Sequence, residues 1–465
     1  MNIPFDWVAA GPATLVFTGA VLGLLVDAFA PRRTWLGAGA PTLAGVLAGG
    51  EELLRTGSID DIAFGFSLLV VAGTALVLVA SIVMNAENAM PAGEFHLLLG
   101  SAASGGLVMA SARDLVTLVV AIELLALPSI ALVGLRQGDR RAVASSWTFF
   151  LTSVVSTAVT LMGVALLYGS TGTLTYVGLS TELDTPSVPG PVLSVGVVLT
   201  IVGLLFKLGA VPFHVWVPDT YRGASVMVAG FLASVSKTAA LGALLVLLAL
   251  GLSPSDGSWQ PVIAIVAAVS MTIGNLGALR QRDGVGMLAW SSVAQAGFLI
   301  APAAAIFTAS GLSAPLQYLA IYALANIVAF AVLAVVLRTR GSTSYDELTG
   351  LARTNPLLGL SLAFAVLTLA GFPPAVAGLV TKYVVLRPVV DGDVTWLAVV
   401  MAVNVMVGLA YYLRLVVVVA SPATGPMANG PTPYAVRIAT SVAVLGTLGL
   451  VALSVWPNLL IANLP

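Results

Sequence analysis

The sequence contains no cysteine. That excludes disulfides, thiolate-held iron–sulfur clusters and cysteine-ligated zinc from this chain. Histidine occurs twice, as His96 and His214, too few for haem or a histidine-rich metal site of the usual kind. Charged residues make up only 8% of 465, and the formal net charge is −1, so nothing points to nucleic acid. Aromatics are 7% of the chain although apolar residues reach 59%. The apolarity therefore comes from alanine, valine, leucine and glycine, as in closely packed membrane helices. With a mean hydropathy of +1.04, the chain reads as an all-α polytopic membrane protein. Its first residues, MNIPFDW, lack a basic n-region and a cleavage signature, so the first helix is read as retained.

Runs of about 20 apolar residues, the length that crosses a bilayer, predict fourteen spans. Their limits are 8–29, 36–54, 62–84, 94–112, 115–135, 142–169, 192–210, 224–251, 259–279, 285–308, 314–337, 356–387, 394–419 and 433–456. The second is interrupted by glycines. The longest polar connections are 169–191, 338–356 and 421–433. Nothing between the spans is long enough for a second domain, so residues 1–465 read as one integral membrane unit. Fourteen spans put both termini on one side. If that side is outside, thirteen arginines, among them Arg32, Arg33, Arg140 and Arg222, fall inside and three (Arg55, Arg113 and Arg387) outside. That asymmetry is the positive-inside pattern.

Lysine is scarcer still, and its placement is informative. The only three, Lys207, Lys237 and Lys382, all lie within predicted spans. A lysine at mid-membrane costs about 2.5–3.5 kcal/mol on insertion scales, so such residues are functional by default. Arginine stays charged, whereas a lysine can give up its proton; the partition suits a proton carrier. Among the acids only Glu123 falls near the centre of a span; Asp27, Glu87 and Glu94, with Arg113, sit at span ends and read as solvated. Plainer readings stand beside these. A lysine near a helix end can snorkel to the interface, Glu123 can be a helix–helix anchor, and Pro128, Pro212 and Pro373–Pro374 can be simple kinks. His214 in PFHVW can cap loop carbonyls.

Two spans should be broken, because proline removes a backbone donor and clashes with the preceding turn. Lys207 precedes Pro212 by five residues; five spans later, Lys382 follows Pro373–Pro374. An odd offset implies opposite insertion, and the lysine moves from before the break to after it, as an inverted repeat requires. The spans then group as 1–84, a first repeat 94–251, a second repeat 259–419, and a last helix 433–456. Helices 4–8 and 9–13 form the two halves, with helices 7 and 12 broken.

FKLGAVPFHVWVPDTYRGA (206–224), followed by SVSKTAAL (234–241), resembles the signature of subunit N of proton-pumping NADH–quinone oxidoreductase, respiratory complex I. The tyrosine in PDTYRG favours that antiporter-like membrane subunit over its sisters. AIELLALPSIALVGL, MLAWSSVAQAGFLI, SYDELTGLA, LAGFPPAVAGLVTKYVVL and AYYLRLV support the resemblance. It implies a bacterial inner-membrane subunit whose proton path runs through Glu123, Lys207, Lys237 and Lys382, with His214, Asp219, Tyr221 and Gln295 as secondary positions. It places FMN, iron–sulfur clusters and quinone in partner subunits and none in this chain. It implies contact with other complex I membrane subunits, including sister antiporter-like ones. Two departures stand out. Ser146, Trp147 and Thr148 occupy the place of a basic residue early in the sixth span, and Val285–Gly286 replace a Lys-Arg pair. Alternatives are a sister subunit of a multisubunit cation/proton antiporter or hydrogenase-type complex, a self-contained antiporter or solute carrier, and a structural scaffold.

Overall fold

The computed structural model describes residues 7–29, 35–56, 61–86, 90–184, 190–422 and 434–457. Arg32, Arg33, Glu87, both chain ends and most of the 421–433 connection lie outside the described residues. Among the described residues the chain is helical, with two isolated β-bridges and no strand. In hydrocarbon a backbone must satisfy its own hydrogen bonds, and the helix does so within one segment.

The helices are α1 (Trp7–Phe29), α2 (Trp35–Thr56), α3 (Asp61–Ala80), α4 (Ala92–Ser111), α5 (Leu115–Gly134) and α6 (Arg140–Thr171). There follow α7 (Tyr176–Leu183), α8 (Gly190–Leu208), α9 (Trp216–Gly223), α10 (Val226–Ala233), α11 (Val235–Val246), α12 (Asp256–Leu279), α13 (Gly284–Ile300) and α14 (Ser313–Arg340). The last are α15 (Tyr345–Leu348), α16 (Leu351–Thr354), α17 (Pro356–Ala370), α18 (Val376–Asp391), α19 (Thr395–Ala420) and α20 (Tyr434–Val455).

Eleven segments of the described residues are long and apolar enough to cross a membrane, or up to twelve if a bent pair over 345–370 is one span. The sequence count of fourteen adds three. α2 is a continuous helix despite its glycines, but Glu51, Glu52 and Arg55 dilute it. α4 is diluted by glycine and serine. α17 and α18, at 15 and 16 residues, are each too short alone because the break divides them. Burial orders the bundle: the most apolar stretch of 226–251 is entirely buried, against 33% in α6 and α19.

Two connections expected as polar loops contain helices. Thr175 caps α7 by accepting from Gly178 N at 3.2 Å, and Ser344 caps α15 by accepting from Glu347 N at 3.4 Å. Each helix is pinned to the start of a span in the same way. Leu115 N donates to Leu174 O and Tyr176 N to Arg113 O; Gly284 N donates to Thr343 O and Tyr345 N to Arg282 O. Asp114 and Asp283 cap α5 and α13, and Gly172 and Gly341 close α6 and α14 in the left-handed conformation. Tyr345 in α15 lies over the Arg414 guanidinium at 5.2 Å, and burial pushes its phenol up to about 12, so it stays neutral.

Both expected breaks are present. α8 ends with Gly209 at φ 69° and α17 with Gly371 at φ 72°; each glycine stands three residues before a cis proline, Pro212 or Pro374. Pro128, by contrast, lies inside a continuous α5. One discontinuity was not foreseen. Ser234 separates α10 from α11 and bonds Gly230 O through its hydroxyl at 2.6 Å, an i−4 back-bond that bends helices.

Candidate functional site

Lys207, near the end of α8, is 2% exposed. Its ammonium makes no hydrogen bond or ion pair among the described residues; it lies 5.4 Å from the Phe149 ring and 5.9 Å from Phe206. Phe149 in turn stacks on Trp216 at 4.4 Å. Glu123 is the carboxylate that acts electrostatically on Lys207. It is half-buried on α5 and accepts a 2.5 Å hydrogen bond from Thr157 Oγ1 on α6. The freed groups of the break are satisfied locally: Trp216 Nε1 donates to Phe206 O at 3.0 Å, and Val211 N to Ser270 Oγ at 2.8 Å. A cavity of about 330 Å³ opens beside the break, between Val155 and Ser156 of α6 and Phe206, Phe213 and Trp216. The Ser156 hydroxyl is buried there without a partner.

Lys237 is fully buried on α11, and its ammonium donates to Ser292 O at 2.5 Å. A Cβ added to Gly209 would lie 3.9 Å from that ammonium. Lys382, on α18, occupies the corresponding place at the second break, where a Cβ on Gly371 would lie 2.7 Å from its Cδ. Each break glycine therefore supplies a positive φ that other residues resist and faces a lysine. The Lys382 ammonium stands 4.1 Å from the Phe298 ring and 5.8 Å from Tyr318.

Between Lys237 and Lys382 lies a buried set of hydroxyls and amides. Ser292 Oγ is 3.3 Å from the Tyr221 hydroxyl and 3.2 Å from that of Tyr322. Tyr322 stacks on Tyr318 one turn away, with ring centroids 6.5 Å apart. The Tyr318 hydroxyl donates to Gln295 Oε1. Gln295 Nε2 donates to the Tyr412 hydroxyl at 3.0 Å and to Leu369 O, at the end of α17, at 3.1 Å. Ser291 and Tyr412 share a further hydrogen bond. Hydroxyls both give and take protons, so such a set can relay them where water fills the gaps.

Of the sequence candidates, Lys237 and Tyr221 meet at Ser292, Gln295 joins Tyr318 and Tyr412, and the Lys382 ammonium lies beside the Tyr318 ring; Lys207 stands apart at the α8 break, with Glu123 on α5. His214 is half-buried near Trp290 and takes no part in these contacts. Asp219 is exposed, and its backbone oxygen accepts from Ser145 Oγ at 2.9 Å. Ser291, Ser292, Tyr318, Tyr322 and Tyr412 were not anticipated. A serine or tyrosine in a span is common, and only their convergence from α13, α14 and α19 marks them.

The two departures have local consequences. Trp147 is 61% exposed, turned away from the core, and Ser146 Oγ donates to Ile130 O at 2.8 Å. Gly286 leaves room for Arg222, whose Nη2 lies 2.7 Å from Asp283 Oδ2 and 2.5 Å from Gln281 Oε1. A Cβ at 286 would fall 2.1 Å from that nitrogen.

Residues 112–408 match the family described as NADH:quinone oxidoreductase/Mrp antiporter, transmembrane. The chain is 40% identical over 461 residues to NADH-quinone oxidoreductase subunit N 2 of Streptomyces griseus, covering 92% of this chain and 86% of that one. It is 34% identical to the subunit N of Geobacillus kaustophilus, covering 96% and 94%. The chain belongs to the NADH-quinone oxidoreductase subunit N family. A chain of respiratory complex I from Thermus thermophilus superposes with a TM-score of 0.81 at 31% identity, over 97% of this chain and 99% of that one. A chain of the Mrp complex from Dietzia superposes at 0.80 but at 21% identity, which for subunit N establishes shared fold alone.

Proposed function

We propose that this chain is a proton-translocating membrane subunit of a bacterial NADH–quinone oxidoreductase. NADH oxidation and quinone reduction take place in partner subunits, which hold the FMN, iron–sulfur clusters and quinone. Its neighbours are the other membrane subunits, including sister antiporter-like chains. The observation that carries this reading is the burial of all three lysines, two of them beside the Ser292, tyrosine and Gln295 hydroxyls and amides, in a chain of this family. Glu123 and Lys207 form the input pair, Lys237 passes the proton by way of bound water to the Ser292 hydroxyl and the tyrosines, and Lys382 releases it outward. A charged lysine needs a compensating carboxylate or dipole in low dielectric. Changing the Glu123–Lys207 separation therefore changes the tendency of Lys207 to keep its proton.

Fourteen spans complete this reading, with α2, α4 and the broken pair α17–α18 added to the eleven. The repeated capping at Asp114 and Asp283, Gly172 and Gly341, and Gly209 and Gly371 supports two inverted halves, residues 94–251 and 259–419, preceded by helices over 1–84 and followed by one over 433–456. Both ends then face the periplasm. The antiporter alternative has less support, since the Mrp complex chain from Dietzia shares only 21% identity.

The test uses inverted membrane vesicles carrying the whole complex with Lys207→Met or Lys237→Met. The expected result is an assembled complex with lost NADH-driven proton uptake. Native uptake in both variants would favour the scaffold reading.

A further inference from the structure

Between α12 and α19 lies a polar cluster that the lysine path does not use. Asn275 is 1% exposed, deep in an apolar bundle where an unpaired amide would cost several kcal/mol. Its Nδ2 donates to Asn404 O at 2.9 Å and to Asn404 Oδ1 at 3.0 Å. Its Oδ1 accepts from the Tyr411 hydroxyl at 3.0 Å. Asn404 Nδ2 continues to Thr272 Oγ1 at 3.2 Å and Val400 O at 3.0 Å.

The spacing of the two anchors gives the cluster its consequence. Residues 404 and 411 are about two turns apart and share one face of α19. A single side chain on α12 therefore bears on both the height and the rotation of α19. Gly408 lies between the anchors; a Cβ there would already be 3.6 Å from Asn275 Oδ1, so the amide rests flat against the helix. The next residue after the second anchor is Tyr412, whose hydroxyl meets Ser291 and Gln295. Gln295 holds the Tyr318 hydroxyl and Leu369 O, beside the break that carries Lys382. A rotation of α19 by about 20° moves a group about 6 Å from its axis by about 2 Å. That is enough to break these hydrogen bonds, whose useful range spans about 0.5 Å.

We infer that Asn275 is a positioning residue for the Gln295–Tyr318 pair beside Lys382, acting through α19 and Tyr412. This rests on the reading of Lys382 as a proton station. Asn275 touches no proton carrier itself; it sets where Tyr412 stands, and Tyr412 sets the orientation of the Gln295 amide.

The experiment measures NADH-driven proton uptake in inverted vesicles at equal content of assembled complex. The variants are Asn275→Leu, Tyr411→Phe, Tyr412→Phe, the doubles of Tyr412→Phe with each of the first two, and Lys382→Met. Asn275→Leu is expected to lower the uptake rate about tenfold, within the range that ångström-scale misplacement costs. Tyr411→Phe, which removes one hydroxyl and no packing volume, is expected to lower it in the same direction. Each double should be no slower than Tyr412→Phe alone, because both changes act through the same hydroxyl. Multiplying effects in the doubles, the signature of general loosening, overturn the inference, as does native uptake in Tyr411→Phe. If Asn275→Leu does not assemble, Tyr411→Phe and its double decide by the same criteria. Native uptake in Lys382→Met overturns the underlying reading and this inference together. Lost uptake there with native uptake in the asparagine and Tyr411 variants overturns this inference alone.

Discussion

Lys382→Arg separates a proton station from a fixed charge. Lys382 is 8% exposed, its ammonium 4.1 Å from the Phe298 ring, its stem against Gly371. An arginine keeps the positive charge and can keep the ring contact, worth about 0.5–2 kcal/mol. Its extra length meets the wall at Gly371, and overpacking of that kind costs about 1–3 kcal/mol. Losing a proton is a far larger demand. A guanidinium of pKa above about 12 releases one at pH 7 only at a cost of about 7 kcal/mol, from five units at 1.36 kcal/mol each. Added to a barrier, that slows a step about 10⁵-fold. The arginine variant should therefore assemble to near-native amounts, since the packing cost is the smaller term, and fail to pump. Lys382→Met should lose charge and transfer together. The assay compares assembled complex, NADH oxidation and proton uptake in inverted vesicles. Native uptake by the arginine variant refutes the reasoning: Lys382 would then act through its charge alone.

Two further predictions concern the Arg222–Asp283 ion pair and the topology. Gly286→Arg should lower the thermal stability of the assembled complex by about 1–3 kcal/mol, because its Cβ falls on Arg222 Nη2. Arg222→Gln in the same chain should recover part of the loss, and a melting curve that shows no recovery counts against the steric cause. Reporter fusions at Arg140 and Asp346 should read cytoplasmic and one at Thr181 external; the opposite pattern overturns the orientation, and Arg140 and Asp346 on different sides removes the fourteen-span count.

The sequence by itself determined the membrane class, the place of the two breaks and the three residues around which the site is built. The reason is physical. Hydrocarbon demands long apolar runs, proline cannot continue a helix, and a lysine in a span is too unfavourable to be incidental. Gly209 and Gly371, which precede those breaks, were legible only as part of a turn; that each faces a lysine required coordinates. The helices α7 and α15 were hidden because eight and four residues between polar turns carry little periodicity. Only the tertiary structure decided which of the many span hydroxyls come together. Ser292, Tyr318, Tyr322 and Tyr412 come from three helices, one of them far along the chain from the other two, and a hydroxyl is cheap enough to bury that its presence alone carries no signal. The same holds for exclusion: Asp219 and His214 stand in the most specific motif, yet Asp219 is exposed on α9 and His214 sits in the turn before it, beside Trp290 and away from those hydroxyls.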